Sequence, residues 1–452
     1  MAAAGPALRH PLSLAGVIIT TASAAGFLAL VAASLLGVFQ NPYAGLVVFV
    51  ALPAIFVSGL LLIPFGAWLQ RRALRRDPSA RADWPVIDLG ESRVRRTVLA
   101  VTALTVVNLA IILVAAYGSL HWMESPTFCG QACHTPMHPQ FTAWQNAPHS
   151  KVTCVQCHIG EGGRALVHYK LAGVRQMYHV MTGEYPRPIP ASVADLRPAN
   201  ETCGHCHTPS LSHGIIARSV SEYADDEANT ETVTALEMHV GGPGQPTATG
   251  RAIHWHADPS RRVDYIYTDE DRQTIPFVRS ISADGQVKEY VVEGTTPEAL
   301  AAGKTRTMDC IDCHNVVAHR ISPTSTQAVD RAIAAGRVNR SLPFIRREAV
   351  RLLDRQYPDQ DAGAAAVDAG LRSFYAGTKP GVDQQSLEQT IRSLQGLYRS
   401  NVFPNMKVTW GVYKDNSGHM TSDGCFRCHD ERHVAKDGTS ISGDCSYCHE
   451  QK

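Results

Sequence analysis

The sequence predicts a mainly α protein with little regular structure between its helices. Three N-terminal transmembrane helices should precede a cysteine-rich domain that carries a small β-containing insertion. Three observations predict this. Three long apolar runs without Asp, Glu, Lys or Arg open the chain. All 12 Cys fall into close pairs, each trailed directly by His. One stretch between two such pairs, at about 216–305, has no Cys and is rich in Val, Ile and Tyr.

The apolar runs cover residues 12–39, 43–69 and 98–117. Each reaches the roughly 20 residues a helix needs to cross the hydrocarbon layer. None shows the polar stripe of a buried soluble helix. Basic residues set the orientation. Arg71, Arg72, Arg75 and Arg76 follow the second run, and Arg93, Arg95 and Arg96 precede the third, so that loop is expected in the cytoplasm. Arg9 fits the same side, and the uncharged linker Gln40-Asn41-Pro42 fits the other. Residues 1–118 thus form a multi-pass anchor in the inner (cytoplasmic) membrane. Everything after about Ser119 is expected in the periplasm. A cleaved signal peptide is the other reading of the first run; its length and charge pattern favour a retained helix.

The cysteine pairs are Cys129/Cys133, Cys154/Cys157, Cys203/Cys206, Cys310/Cys313, Cys425/Cys428 and Cys445/Cys448. His134, His158, His207, His314, His429 and His449 follow them. A Cys pair plus His is the attachment signature of a c-type haem: two thiols bond the porphyrin edge and the imidazole reaches iron. A disulfide framework needs no His after every second Cys, and structural zinc takes Cys pairs two at a time. With no thiol left over, the pattern points to about six covalently attached haem c groups, a multihaem cytochrome c domain. The first motif holds three residues between its cysteines, Gly130, Gln131 and Ala132. It is either an empty, degenerate site or a haem site with a widened loop; the intact His134 favours the second. A net charge of +1 argues against a nucleic-acid partner held by bulk charge.

Beyond the anchor, residues 119–319 form a four-haem region interrupted by the Cys-free insertion. A helical segment (320–402) and a C-terminal two-haem segment (403–452) follow. Glycines frame a helix over 161–183. In the insertion, residues 263–267, 276–282 and 287–293 read as strands, with Asp284-Gly285 as a hairpin turn. Amphipathic helices are expected at about 326–357, 362–375 and 385–399. The last segment should hold little regular structure and draw much of its apolar core from the porphyrins.

Residues 128–319 resemble the NapC/NirT family of membrane-anchored multihaem cytochromes, which oxidise quinols. The matching motifs are FCGQACHTPM just past a membrane helix, APHSKVTCVQCH, Tyr178-His179 in a helix, ETCGHCH, Glu237-Met238-His239 and DCIDCHNVVAH. The usual member has one membrane helix and four haems. This chain adds two helices before, two motifs after and the Cys-free insertion, and looks like the larger inner-membrane members. The resemblance implies a Met ligand or neighbour for the first haem, here Met137. It also implies a quinol-site Lys, here Lys170. Six residues on, where the family has an acid, stands Gln176, which cannot take a proton. Glu124, His168 or Glu161 would then serve, or the mechanism is altered.

Six irons need six second ligands if all are six-coordinate. Outside the motifs, His149, His179, His239, His319, His419 and His433 are the expected ones. His149, His319 and His433 stand too near their own motif to bind its iron and should reach a neighbouring haem. His254 and His256 are substitutes that would share one face of an alternating strand. His10 and His121 flank membrane runs, and His138 and His205 are bystanders.

The expected function is oxidation of menaquinol or ubiquinol at the membrane surface, with electrons passed along the haems to a periplasmic cytochrome or reductase. The alternatives are an electron-wire subunit of a larger respiratory complex without its own quinol site, and a multihaem reductase of nitrite or a similar oxyanion.

Overall fold

The computed structural model describes residues 10–35, 47–74, 90–132, 134–159, 163–190, 196–207, 214–241, 252–379 and 381–452. Arg9, the linker at 40–42, Arg75, Arg76, Cys133 and Glu161 lie outside them, as do the side chains of Arg71, His134, His168 and Lys170. The chain divides into two compact units, residues 1–133 and 134–452.

In the first unit, α1 (Pro11–Leu35), α2 (Leu52–Leu74) and α3 (Ser92–Met123) are the three apolar helices. Each is long and apolar enough to cross a membrane, over Pro11–Val31, Leu52–Gln70 and Thr102–Met123. The third therefore continues past Ser119. Without a hydrophobic drive between helices in lipid, close association needs small residues at the interface. α1 and α2 supply them: a Cβ at Gly59 would lie 2.6 Å from Thr20 Oγ1 and 2.8 Å from its backbone nitrogen. Thr20 turns its own hydroxyl back to the Gly16 carbonyl, 2.8 Å away, so no polar group faces lipid unpaired.

The second unit opens with α4 (His134–Gln145) and α5 (Gly163–Thr182). Two antiparallel sheets follow. Strands β1 (Ile215–Tyr223) and β2 (Glu231–His239) form a hairpin that the sequence reading did not foresee. β3 (Arg262–Tyr267), β4 (Phe277–Ile281), β5 (Val287–Val292) and β6 (Lys304–Thr307) form the expected hairpin and one strand more. The C-terminal segment then completes both sheets. β7 (His433–Ala435) pairs with β5, and β8 (His449–Gln451) pairs with β2. The orders are β1-β2-β8 and β6-β3-β4-β5-β7.

The helical segment forms α6 (Ser325–Ala334), α7 (Ile345–Leu353), α8 (Gln360–Thr378) and α9 (Gln384–Asn401). Their apolar faces meet in one core around Val329, Ile345, Leu371, Leu394 and Tyr398. The single helix expected at 326–357 is two: Gly336, at φ +69°, turns the chain out of α6. Boundaries at 319 and 402 are not gaps. Ala143 of α4, Ile321, Phe403 and Tyr413 share a second apolar cluster across both.

Candidate haem centres

Each described attachment motif winds into a short helical turn, which puts both cysteines on one side and the His just beyond. Thr153 closes a capping box at Cys154–His158, Asp309 one at Cys310–Cys313, and Asp444 caps Cys445–Tyr447. The backbone N–H of the His then donates four residues back: His207 to Cys203 at 2.8 Å, His314 to Cys310 at 2.8 Å and His429 to Cys425 at 3.0 Å.

The eleven described cysteines are unbridged. Cysteine ordinarily favours burial, and these divide. Cys428 is buried and most of the others are half-buried, but Cys206 and Cys445 are exposed. Burial therefore does not mark Cys206 as a site residue. It follows the 3₁₀ turn Cys203–His205, and its backbone N–H donates to the Cys203 carbonyl at 3.1 Å. That turn lies at the surface, with Gly204, His205 and His207 exposed beside it. Cys206 keeps its assignment on spacing and on the geometry of the turn, and its thiol is open to attachment from solvent.

Five of the attachment imidazoles face a second imidazole. Ring centres lie 6.1 Å apart for His158–His319, 6.0 Å for His207–His149 and 6.4 Å for His314–His254. They lie 5.9 Å apart for His429–His256 and 6.0 Å for His449–His419. A metal–imidazole bond of about 2.0 Å, with about 1.1 Å from nitrogen to ring centre, would set two imidazoles that share one metal about 6.2 Å apart. All five pairs fit an iron held between two histidines.

In four of these rings the other nitrogen is engaged, whereas His149 and His449 leave Nδ1 buried without a hydrogen-bond partner. Nδ1–H of His319 donates to the Gln140 carbonyl at 3.0 Å and that of His254 to Gly241 at 3.3 Å. His256 donates to Ile253 at 2.9 Å and His429 to Ser442 at 2.8 Å. Such bonds fix the tautomer and leave Nε2 bare for a metal. Burial also lowers the pKa of His158, His256, His314, His319 and His449. That favours the neutral form that binds iron.

The second to sixth motifs lie in a row. Burial raises the pKa of Cys157 and Cys310, and Cys203 adds to both shifts through its charge. Cys425 acts likewise, after burial, on Cys313 and Cys448. Thioether sulfurs carry no proton, so what survives haem attachment is the proximity: second site to third, third to fourth, fourth to fifth, fifth to sixth. Side chains lock the last two steps. Arg427, inside the fifth motif, donates to the Asp312 carbonyl inside the fourth at 2.7 Å. Phe426 of the fifth packs 4.6 Å from the His419 ring of the sixth. Asp312 itself is 1% exposed. Its carboxylate accepts from the Tyr265 hydroxyl at 2.6 Å, Arg272 at 2.9 Å and Arg306 at 2.9 Å.

The expected ligands divide as follows. His149, His319 and His419 each face an attachment imidazole; His149 reaches the next motif along, the third, and His319 reaches from beside the fourth motif to the second. His254 and His256 are paired as well, although they sit in the 3₁₀ turn Ile253–Ala257 rather than a strand. His433 does not fit the role. It is buried, with Nδ1 2.8 Å from Asp430 and Nε2 2.7 Å from the Ile275 carbonyl, so neither nitrogen is left for iron. His256 stands before His429 instead. His239 lies beside His449, with Nε2 3.9 Å from Glu450 and a buried Nδ1 without a hydrogen-bond partner. His179 ends α5 against the Tyr178 ring, and its buried Nδ1 also lacks a partner.

At the first motif, Phe128–Ala132 winds as a π-helix, whose ring is one residue wider than an α turn. That is the space an extra residue between cysteines requires. Met137 lies half-buried on α4, and Gln176 is exposed on α5, the helix that also carries Lys170. Glu124 caps the C-terminus of α3.

Residues 91–189 match the family described as NapC/NirT cytochrome c family, N-terminal region. The chain is also 36% identical over 450 residues to the cytochrome c-type protein ImcH of Geobacter sulfurreducens, across 98% of this chain and 88% of that protein. No solved structure matches.

Proposed function

Because the chain belongs to the NapC/NirT cytochrome c family, we propose that it is an inner-membrane quinol dehydrogenase that passes electrons through about six covalently bound haems to a periplasmic redox partner. Membrane-anchored electron transfer follows from the family itself. The observation that carries the fuller reading is the set of five imidazole pairs, set along the row of the second to sixth motifs. Haem c supplies a reversible one-electron couple at each site. Paired imidazoles at sites two to six leave no open coordination position, which argues against the oxyanion reductase.

At the first site, Cys129 and Cys133 take the porphyrin and His134 the iron, with Met137 as the second ligand; a thioether there raises the potential relative to two imidazoles. Menaquinol or ubiquinol gives up two electrons and two protons on becoming quinone, so its site needs a proton acceptor. Lys170 binds the quinol headgroup and, since Gln176 cannot take a proton, His168 or Glu161 takes it. The exposed Gln176 favours the second reading, an electron wire fed by a partner, since the family's acid is missing there. Haem counting on the purified protein, with menaquinol and ubiquinol as donors, tests both. Six haems reduced by a quinol support the dehydrogenase. Six haems that no quinol reduces leave the wire.

A further inference from the structure

The second unit carries a cleft that the haem sites do not use. It measures about 360 Å³ and lies where α4, the end of α6 and α9 meet, with Arg337, Arg392, Arg399, Thr142, Asn146 and Gly396 in its lining. Three arginines line it and no carboxylate does. Arg399 has a partner, Asp361, but at the rim, where both are largely exposed. The side chains of Arg337 and Arg392 make no hydrogen bond or salt bridge among the described residues. Glu388 is the acid whose carboxyl Arg392 helps to hold below its usual range, but the larger cause is its bond to Arg372, at 2.6 Å. Asp361 and Glu388 stand outside the lining, so the cleft itself is basic, and like charges held together repel until an anion relieves them.

Gly396 is the second observation. Glycine weakens a helix interior, so its presence in α9 asks for a reason. Packing offers none: a Cβ there would meet no atom within 4 Å. The missing side chain keeps the floor of the cleft open.

We propose that this cleft binds a small multivalent oxyanion, a molecule bearing phosphate or several carboxylates. Guanidinium forks match such groups two hydrogen bonds at a time. The volume suits a molecule of pyrophosphate or citrate size and is too small for a protein element. The site is independent of the quinol reading.

Calorimetric titration of the haem-loaded full chain in detergent, with pyrophosphate, citrate and short-chain phosphatidic acid, tests it. Saturable binding of at least one is expected. Arg337→Ala and Arg392→Ala should each weaken it about tenfold or more, as loss of a charge-assisted hydrogen bond does. Gly396→Leu should abolish it with every charge intact. Haem absorbance should stay unchanged in all three variants, which shows that they fold. Tighter binding of the lipid assigns the site to a headgroup, tighter binding of pyrophosphate or citrate to a soluble anion; both support it. No saturable binding by any of the three, or equal affinity in the double arginine variant, overturns it.

Discussion

His256 and His433 offer a direct test of the haem assignments: His256 stands opposite His429, whereas His433, expected to reach a neighbouring haem, has both ring nitrogens engaged. His256→Ala removes the imidazole 5.9 Å from His429. It also removes one hydrogen bond to a backbone carbonyl at 2.9 Å, worth about 1 kcal/mol net. One site among six loses an axial ligand, so about one-sixth of the iron should turn from low-spin to high-spin. His433→Ala acts elsewhere. The side chain is 1% exposed and makes two bonds. The one to the Asp430 carboxylate is worth about 1.5–3 kcal/mol and the one to the Ile275 carbonyl about 1 kcal/mol. With the vacated space, the loss is about 3–4 kcal/mol, a fall in Tm of roughly 6–12 °C for a unit of this size. Electron paramagnetic resonance reads the first effect and thermal unfolding the second. High-spin iron in His433→Ala with none in His256→Ala would refute the assignment.

Other outcomes follow from the same geometry. Lys170→Ala should slow haem reduction by menaquinol at least tenfold with haem content unchanged; an undiminished rate would leave the wire reading. Asp312→Ala strips the counter-charge from buried Arg272 and one of two from half-buried Arg306 and should cost about 3–5 kcal/mol in thermal unfolding. Burial alone would raise the pKa of Asp264, but bonds from Arg262 and Thr307 hold it below the usual range. Its contribution is therefore complete above the unfolded pKa of about 3.9 and is lost as pH falls through the lower folded value. Asp264→Asn should flatten that acid limb of the stability curve, and an unaltered limb would place the effect elsewhere.

Much of this was legible in the chain because the signals are local. Attachment motifs are fixed by spacing, membrane helices by length and missing charge, and β3 to β5 by Val, Ile and Tyr around Asp284-Gly285. Spacing says nothing of shelter, however, so the exposure of Cys206 beside the burial of Cys428 could not be read from two motifs of the same length. The partner of each iron was only half legible. His149 and His319 stand too near their own motif, so a neighbouring site was the logical destination. The same logic failed for His433, because nothing local reveals that Asp430 and the Ile275 carbonyl occupy both ring nitrogens. His254 and His256 would share a face in a strand. In a 3₁₀ turn of about three residues per turn, positions two apart diverge, and the two rings serve different motifs. The β1–β2 hairpin escaped notice because β1 is mostly exposed and β2 mostly half-buried, so no buried alternation marked it.

The two strands contributed by the C-terminal segment set an order of assembly. β7 and β8 emerge from synthesis after every strand they pair with, and β8 begins at His449, the histidine of the last proposed attachment motif. Until then the outer edges of β5 and β2 stay open, and open edges invite pairing with other chains. Completion of both sheets thus waits on the stretch that carries the final two attachment steps. A copy arrested in cofactor loading would display raw edges, a mark by which surveillance proteases could single it out.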